Sequence, residues 1–152
     1  MMTEVQPSIT DLTLKITQEI RVAAPLDITF AALLEQLGPG NDAGEGKPMP
    51  FKLEPWPGGR WFRDLGNGNG HYWGTVQAIK KPTLLEICGP LFMSHPVANN
   101  LQYRLSEVQG GTLIKFHHSG FGLLVESDRN VKDGWKYIHE RVVQRAESGR
   151  KH

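Results

Sequence analysis

The chain has 152 residues, of which 39% are apolar and 22% charged, with a formal net charge of +1. That is enough chain for one hydrophobic core, too apolar for a disordered segment, and too evenly charged for an electrostatic nucleic-acid surface. No run of about 18 apolar residues offers a membrane span, and the single cysteine, Cys88, excludes an internal disulfide and a thiolate zinc cluster.

The opening MMTEVQPSITD has neither a basic lead nor an apolar run, so no signal peptide is expected. A reduced, cytoplasmic protein follows as the default, with no membrane or nucleic-acid partner. Residues 1–8 read as a tail and 9–149 as a single domain.

From Leu12 to Val22 apolar residues (Leu12, Leu14, Ile16, Ile20, Val22) alternate with polar ones, the period of a strand with one wet face. Pro25 suits the first turn of a helix over ITFAALLEQL, and Gly38 suits its stop. Residues 38–50, rich in glycine and proline, read as a flexible connection without a helix. Six strand-like segments follow at 51–55, 59–65, 71–80, 84–89, 100–108 and 112–120. Asn67-Gly68 with Asn69-Gly70, Lys81-Pro82 and Gly110-Gly111 mark the bends between them.

The last element is predicted as one continuous helix, capped by Ser127 or Asp128, with Val131, Trp135, Ile138, Val142 and Ala146 on one face. About twenty residues make it roughly 30 Å long. Gly134 inside it costs about 1 kcal/mol relative to alanine, which predicts a close contact that requires it. Strands joined by short turns are antiparallel neighbours, and only this helix is long enough to cover their apolar face. The fold class is α+β.

Several segments, taken in order, carry a family resemblance. EIRVAAPLDITFAAL resembles the opening of START/Bet v 1-like (SRPBCC) proteins. LEPWPGGRWF, HYWGTVQAIKKPTLLEI, LIKFHHSGFG and DGWKYIHERV are similar to the Activator of Hsp90 ATPase homologue 1-like branch. The likeness spans about residues 12 to 147. It implies a helix-grip fold, a curved seven-stranded antiparallel sheet wrapped around the long C-terminal helix with a cavity between them. The co-chaperone that names the branch carries a separate N-terminal domain, whereas about a dozen residues precede the first strand here, so Hsp90 is not expected as a partner. The superfamily hosts lipid carriers and cyclases alike, so fold alone does not assign function.

Within that frame the paired histidines of TLIKFHHSGFG separate. Successive strand residues face opposite ways, so His118 shares the inner face with Ile114 and Phe116, and His117 faces solvent. His118 reads first as a neutral core histidine bonded to a hydroxyl or carbonyl, and second as the polar anchor of an apolar pocket. Tyr103, inward with Leu101 and Leu105, reads first as core packing and second as a hydrogen-bond partner for His118 across the last hairpin. Trp135 reads as core that also borders the cavity. Trp61 and Trp73 cannot be assigned a face, since both parities around them hold an aromatic.

Other motifs fail on inspection. DLGNGNGH has Leu65 and Val76 where a calcium loop needs ligands, and lacks the lysine-serine/threonine ending of a phosphate loop. No carboxylate pair or nucleophile elbow declares itself. His71, His95, His139 and His152 read as loop, helix-surface or terminal residues without metal spacing, so no metal and no cofactor is expected.

The leading expectation is a module that binds a small hydrophobic or aromatic ligand. Its cavity is lined by Ile16, Leu101, Tyr103, Phe116, His118, Trp135 and Ile138, with none of them assigned a catalytic role. The alternatives are a polyketide cyclase/aromatase, in which His118 or Tyr103 steers proton transfer, and a chaperone-interacting domain. The oligomeric state is not set by the sequence, and a homodimer stays open.

Overall fold

Seven strands and one long helix carry the fold. The computed structural model describes residues 8–44 and 46–149. The tail expected over residues 1–8 lies outside them apart from Ser8, and His152 also lies outside. After one 3₁₀ turn come β1 (Thr13–Val22) and α1 (Leu26–Leu37). The strands β2 (Lys52–Leu53), β3 (Arg60–Gly66), β4 (Asn69–Lys80), β5 (Leu84–Gly89), β6 (Val97–Val108) and β7 (Gly111–Gly122) follow. The short α2 (Glu126–Arg129) and the long α3 (Lys132–Gly149) close the chain. Among the described residues no helix is long and apolar enough to cross a membrane.

The strands form one sheet in the order β1-β7-β6-β5-β4-β3-β2, each neighbouring pair antiparallel. Hairpin connections explain every adjacency except β1 with β7, which joins the two ends of the chain. The β3–β4 turn places Asn67 (φ 55°) and Gly68 (φ 77°) in the left-handed region, which matches the twist of a two-residue hairpin. Register shifts in β3–β4 and β4–β5 mark bulges, which bend the strands and help curl the sheet.

Alternation sets the inner face. Leu101, Tyr103 and Leu105 on β6 and Ile114, Phe116 and His118 on β7 are buried, and α3 covers them with Trp135, His139, Val142 and Ala146. Burying a large apolar side chain contributes about 1.5–3 kcal/mol, so this layer holds sheet and helix together. α1 packs against α3, burying Phe30, Leu33 and Leu37. Trp61 closes the end of α1: its indole N–H donates to the Leu37 carbonyl at 2.6 Å, satisfying a last-turn acceptor that the helix itself leaves free. Phe62, one residue on, lies on the outer face under the cations of Arg60 and Lys52. That settles the face of Trp61, and Trp73 is buried beside it.

Three expectations are corrected. The strand predicted over 51–55 shrinks to two residues, because Pro50, Pro55 and Pro57 deny the ladder its donors. The continuous helix from 127 or 128 breaks at Asn130–Val131. Asp128 caps no long helix, since its carboxylate accepts from the Val125 N–H at 2.8 Å and meets His95 at 2.6 Å. Gly134 makes no close contact: a Cβ built there meets nothing within 4 Å.

Candidate functional site

Between sheet and α3 the side chains form a continuous run of rings. Phe51, Trp61 and Trp73 meet edge to face, with centroids 4.2 Å apart for Phe51–Trp73 and 5.5 Å for Trp61–Trp73. Phe92 touches both tryptophans and Trp135, at 5.8, 5.1 and 5.8 Å. Trp135 continues to Phe116 at 5.0 Å, and Phe116 to Tyr103 at 4.8 Å. Phe92 alone among these rings reaches solvent, at 44% exposure.

Two imidazoles are embedded in this layer. His118 accepts the indole N–H of Trp135 on Nδ1 at 3.0 Å, which leaves Nε2–H to donate to Asn99 Oδ1 at 2.7 Å. Gly120, opposite Asn99 in the ladder, makes room for that amide, since a Cβ there would lie 2.8 Å from Asn99 Oδ1. His139 on α3 donates from Nδ1 to Gln18 Oε1 at 2.6 Å and accepts the Tyr103 hydroxyl on Nε2 at 2.9 Å. Burial disfavours the charged forms, so His118 titrates down at about 4, with Asp128 acting in opposition, and His139 at about 3. Burial also pushes the Tyr103 phenol up. Both rings are neutral at physiological pH, with each nitrogen in a definite role.

Open space lies on the flanks of α3. A cleft of about 380 Å³ runs between the 41–51 loop and the helix, lined by Asp42, Met49, Phe51, Phe92, Gly134, Tyr137 and Ile138 among others. On the opposite flank about 360 Å³ is bounded by Gln18, Ile20, Lys136, His139 and Val143, among others. Of the residues expected to line a cavity, Ile138 borders the first cleft. Ile16, Leu101, Tyr103, Phe116, His118 and Trp135 are each at most 9% exposed and do not line it.

The pairing of Tyr103 with His118 is corrected. The β6–β7 register sets Tyr103 opposite Phe116 and His118 opposite Leu101, and the Tyr103 hydroxyl bonds His139 instead. His139, read from sequence as a helix-surface residue, is 3% exposed. Sequence reasoning also passed over Asp42, Met49, Phe51, Phe92 and Tyr137, which lie on irregular segments or on the helix face assumed to be wet. Among the described residues no three of His, Cys, Asp and Glu come together as a metal set.

A curved seven-stranded antiparallel sheet gripping one long C-terminal helix defines the Bet v 1-like helix-grip class. The family model described as Activator of Hsp90 ATPase homolog 1-like protein matches residues 28–147, and the chain belongs to that family. Among solved structures, protein MLL2253 from Mesorhizobium loti is similar with 18% identity and a TM-score of 0.69, covering 88% of this chain and 97% of its own. Ara h 8.0201 gives 15% identity and a TM-score of 0.65, covering 90% of this chain and 99% of its own. The di-domain ARO/CYC StfQ from the steffimycin biosynthetic pathway gives 11% and 0.62, covering 92% of this chain and 51% of its own. At these identities the likeness shows the fold alone. No curated protein sequence matches the chain.

Proposed function

We propose that this protein binds a small hydrophobic or aromatic molecule between its sheet and α3. The carrying observation is the run of rings that begins in solvent at Phe92 and passes inward through Trp135 and Phe116 to Tyr103. An exposed aromatic at the edge of an open apolar cleft marks a surface that gains by being covered. On this reading Ile138 lies at the mouth. Ile16, Leu101, Tyr103, Phe116, His118 and Trp135 form the wall that a guest meets when the Phe92 ring moves aside.

Native mass spectrometry of the purified protein, set against its mass after denaturation, tests this. A reproducible excess mass that is lost in Phe92→Ala supports the proposal. Bare protein throughout, with no thermal shift from a panel of lipids and aromatic compounds, refutes it.

A second reading is favoured by one contact, the Tyr103 hydroxyl on His139 Nε2. A hydroxyl that can pass its proton to a neutral imidazole leaves its oxygen able to take a proton from a bound polyketone, and StfQ is an ARO/CYC protein. That reading requires turnover of a polyketone that Tyr103→Phe abolishes while binding persists.

A further inference from the structure

The rim of the cleft beside α3 has a fixed hydrogen-bonding sense. The Tyr137 hydroxyl donates to Asp42 Oδ1 at 2.5 Å. Asp42 also accepts the Gly44 N–H at 3.2 Å and meets the Arg141 guanidinium at 3.0 Å. Ringed by two donors and a cation, the carboxylate is ionised and can only accept. The bond from Tyr137 holds the Asp42 carboxyl below its usual range and pushes the Tyr137 phenol up, as this direction requires.

Tyr137 has one proton, and it is committed to Asp42. Only oxygen lone pairs are left to face the cleft. The neighbouring loop amides are committed inward too: Asn41 and Phe51 donate to Gly38 O, Ala43 to Lys47 O, and Met49 to Asn41 O. The Asn41 side chain donates to Met49 O. This rim therefore offers acceptors to a guest.

The floor is equally particular. Gly134, Tyr137 and Ile138 stand at i, i+3 and i+4 on α3, hence on one face, and all three line the cleft. No side chain crowds Gly134, so packing within the protein gives no reason for glycine there. Bare backbone at that point leaves a flat bed between the Phe51 and Phe92 walls.

We propose that this cleft takes a flat aromatic molecule carrying a hydrogen-bond donor, a phenol or an aromatic amine, with its ring over Gly134 against Phe51 and Phe92 and its donor on Tyr137 Oη. The assignment rests on the ligand-binding reading above and narrows it to a site and a chemical class. Anionic isosteres bind more weakly, because they bring no donor and their oxygens would face the Tyr137 lone pairs, while the Asp42 charge is already paired with Arg141.

The test is fluorescence titration of the full chain with 2-naphthol, 2-naphthoate and diphenylhexatriene, the last a long hydrophobe with no donor. 2-Naphthol binds at least about tenfold tighter than 2-naphthoate, the discrimination expected of one hydrogen bond and one repulsive contact. Tyr137→Phe and Asp42→Ala both collapse that ratio, the second because no acceptor is left there and the Tyr137 proton is freed to donate. Gly134→Leu fills the bed and abolishes 2-naphthol binding. Gly134→Ala weakens binding while raising Tm by about 3 °C, the gain expected from helix propensity in a domain of this size.

Equal affinity for the two naphthalenes, or 2-naphthol binding intact in Gly134→Leu, overturns the assignment. If diphenylhexatriene binds and 2-naphthol does not, the assignment falls and the hydrophobic-ligand reading stands. If none of the three binds, both fall.

Discussion

Acid should weaken this fold well before its carboxylates begin to protonate, and the two buried imidazoles set how much. An unfolded chain protonates both near pH 6.5, but in the folded protein His118 waits until about 4 and His139 until about 3. Between those values the unfolded state holds more protons, so stability falls as pH falls. From about pH 7.5 to about pH 5 the loss is about 2 kcal/mol per imidazole, because neither folded ring has taken up much proton by then. Together they remove about 4 kcal/mol, a large part of the 5–15 kcal/mol typical of a domain. The carboxylates held low, Glu54 at about 2 and Asp42 and Asp64 below their usual range, lose their contribution only beneath the ordinary carboxylate pKa and leave this window clear. Urea unfolding followed by tryptophan fluorescence at the two pH values, at constant ionic strength, reads the difference. The double variant Tyr103→Phe/His139→Leu removes one titrating ring together with its partner and should halve the pH effect. A midpoint that does not move between the two pH values would refute the reasoning, since it would mean that the folded protein protonates these rings as readily as the unfolded chain.

Two structural predictions follow from single contacts. Trp61→Phe loses both volume in a fully buried site and the bond to Leu37 O, and should destabilise by about 2–3 kcal/mol in the same urea assay. Gly120→Ala places a methyl against Asn99 Oδ1 and displaces it from His118, leaving a buried N–H without a partner. The expected cost is about 1–3 kcal/mol, with a matching fall in Tm.

The strands were legible because two physical signals agreed: period-two alternation within each segment, and turn residues between them. Val97–Val108 and Gly111–Gly122 begin and end within three residues of expectation. What failed was finer. The turn fixes Tyr103 opposite Phe116, and a two-residue offset, invisible without the register, separated it from His118. His139 was missed through its chemistry rather than its position. Trp135, His139, Val142 and Ala146 follow i, i+4, i+7, i+11, as good a helical stripe as the one drawn through Ile138, but a histidine in that stripe reads as polar until its two partners are seen. The cleft was least legible. Asp42, Met49 and Phe51 lie on a segment with no periodicity, and only the third dimension brings them to Gly134.

His118 also bears on the mouth of the cleft, through an intermediary. Asn99 uses Oδ1 to accept from His118 and Nδ2 to donate to Pro90 O at 3.3 Å, so one amide ties the buried imidazole to the segment that carries Phe92. That segment is also held by the Leu91 N–H on Trp73 O at 2.8 Å, by the Leu123 N–H on Pro96 O at 3.0 Å and by His95 on Asp128 at 2.6 Å. Replacing a ring such as Trp135 by alanine would cost about 3–5 kcal/mol, so the packed interior resists being hollowed from within. Space for a guest is gained more cheaply where the ring layer ends, at Phe92, the one ring of the run that reaches solvent. The Trp135 N–H on Nδ1 selects the neutral tautomer that carries its proton on Nε2, and that proton orients Asn99. The histidine that looked like an anchor for a ligand is, in its contacts, an anchor for the wall the ligand would meet.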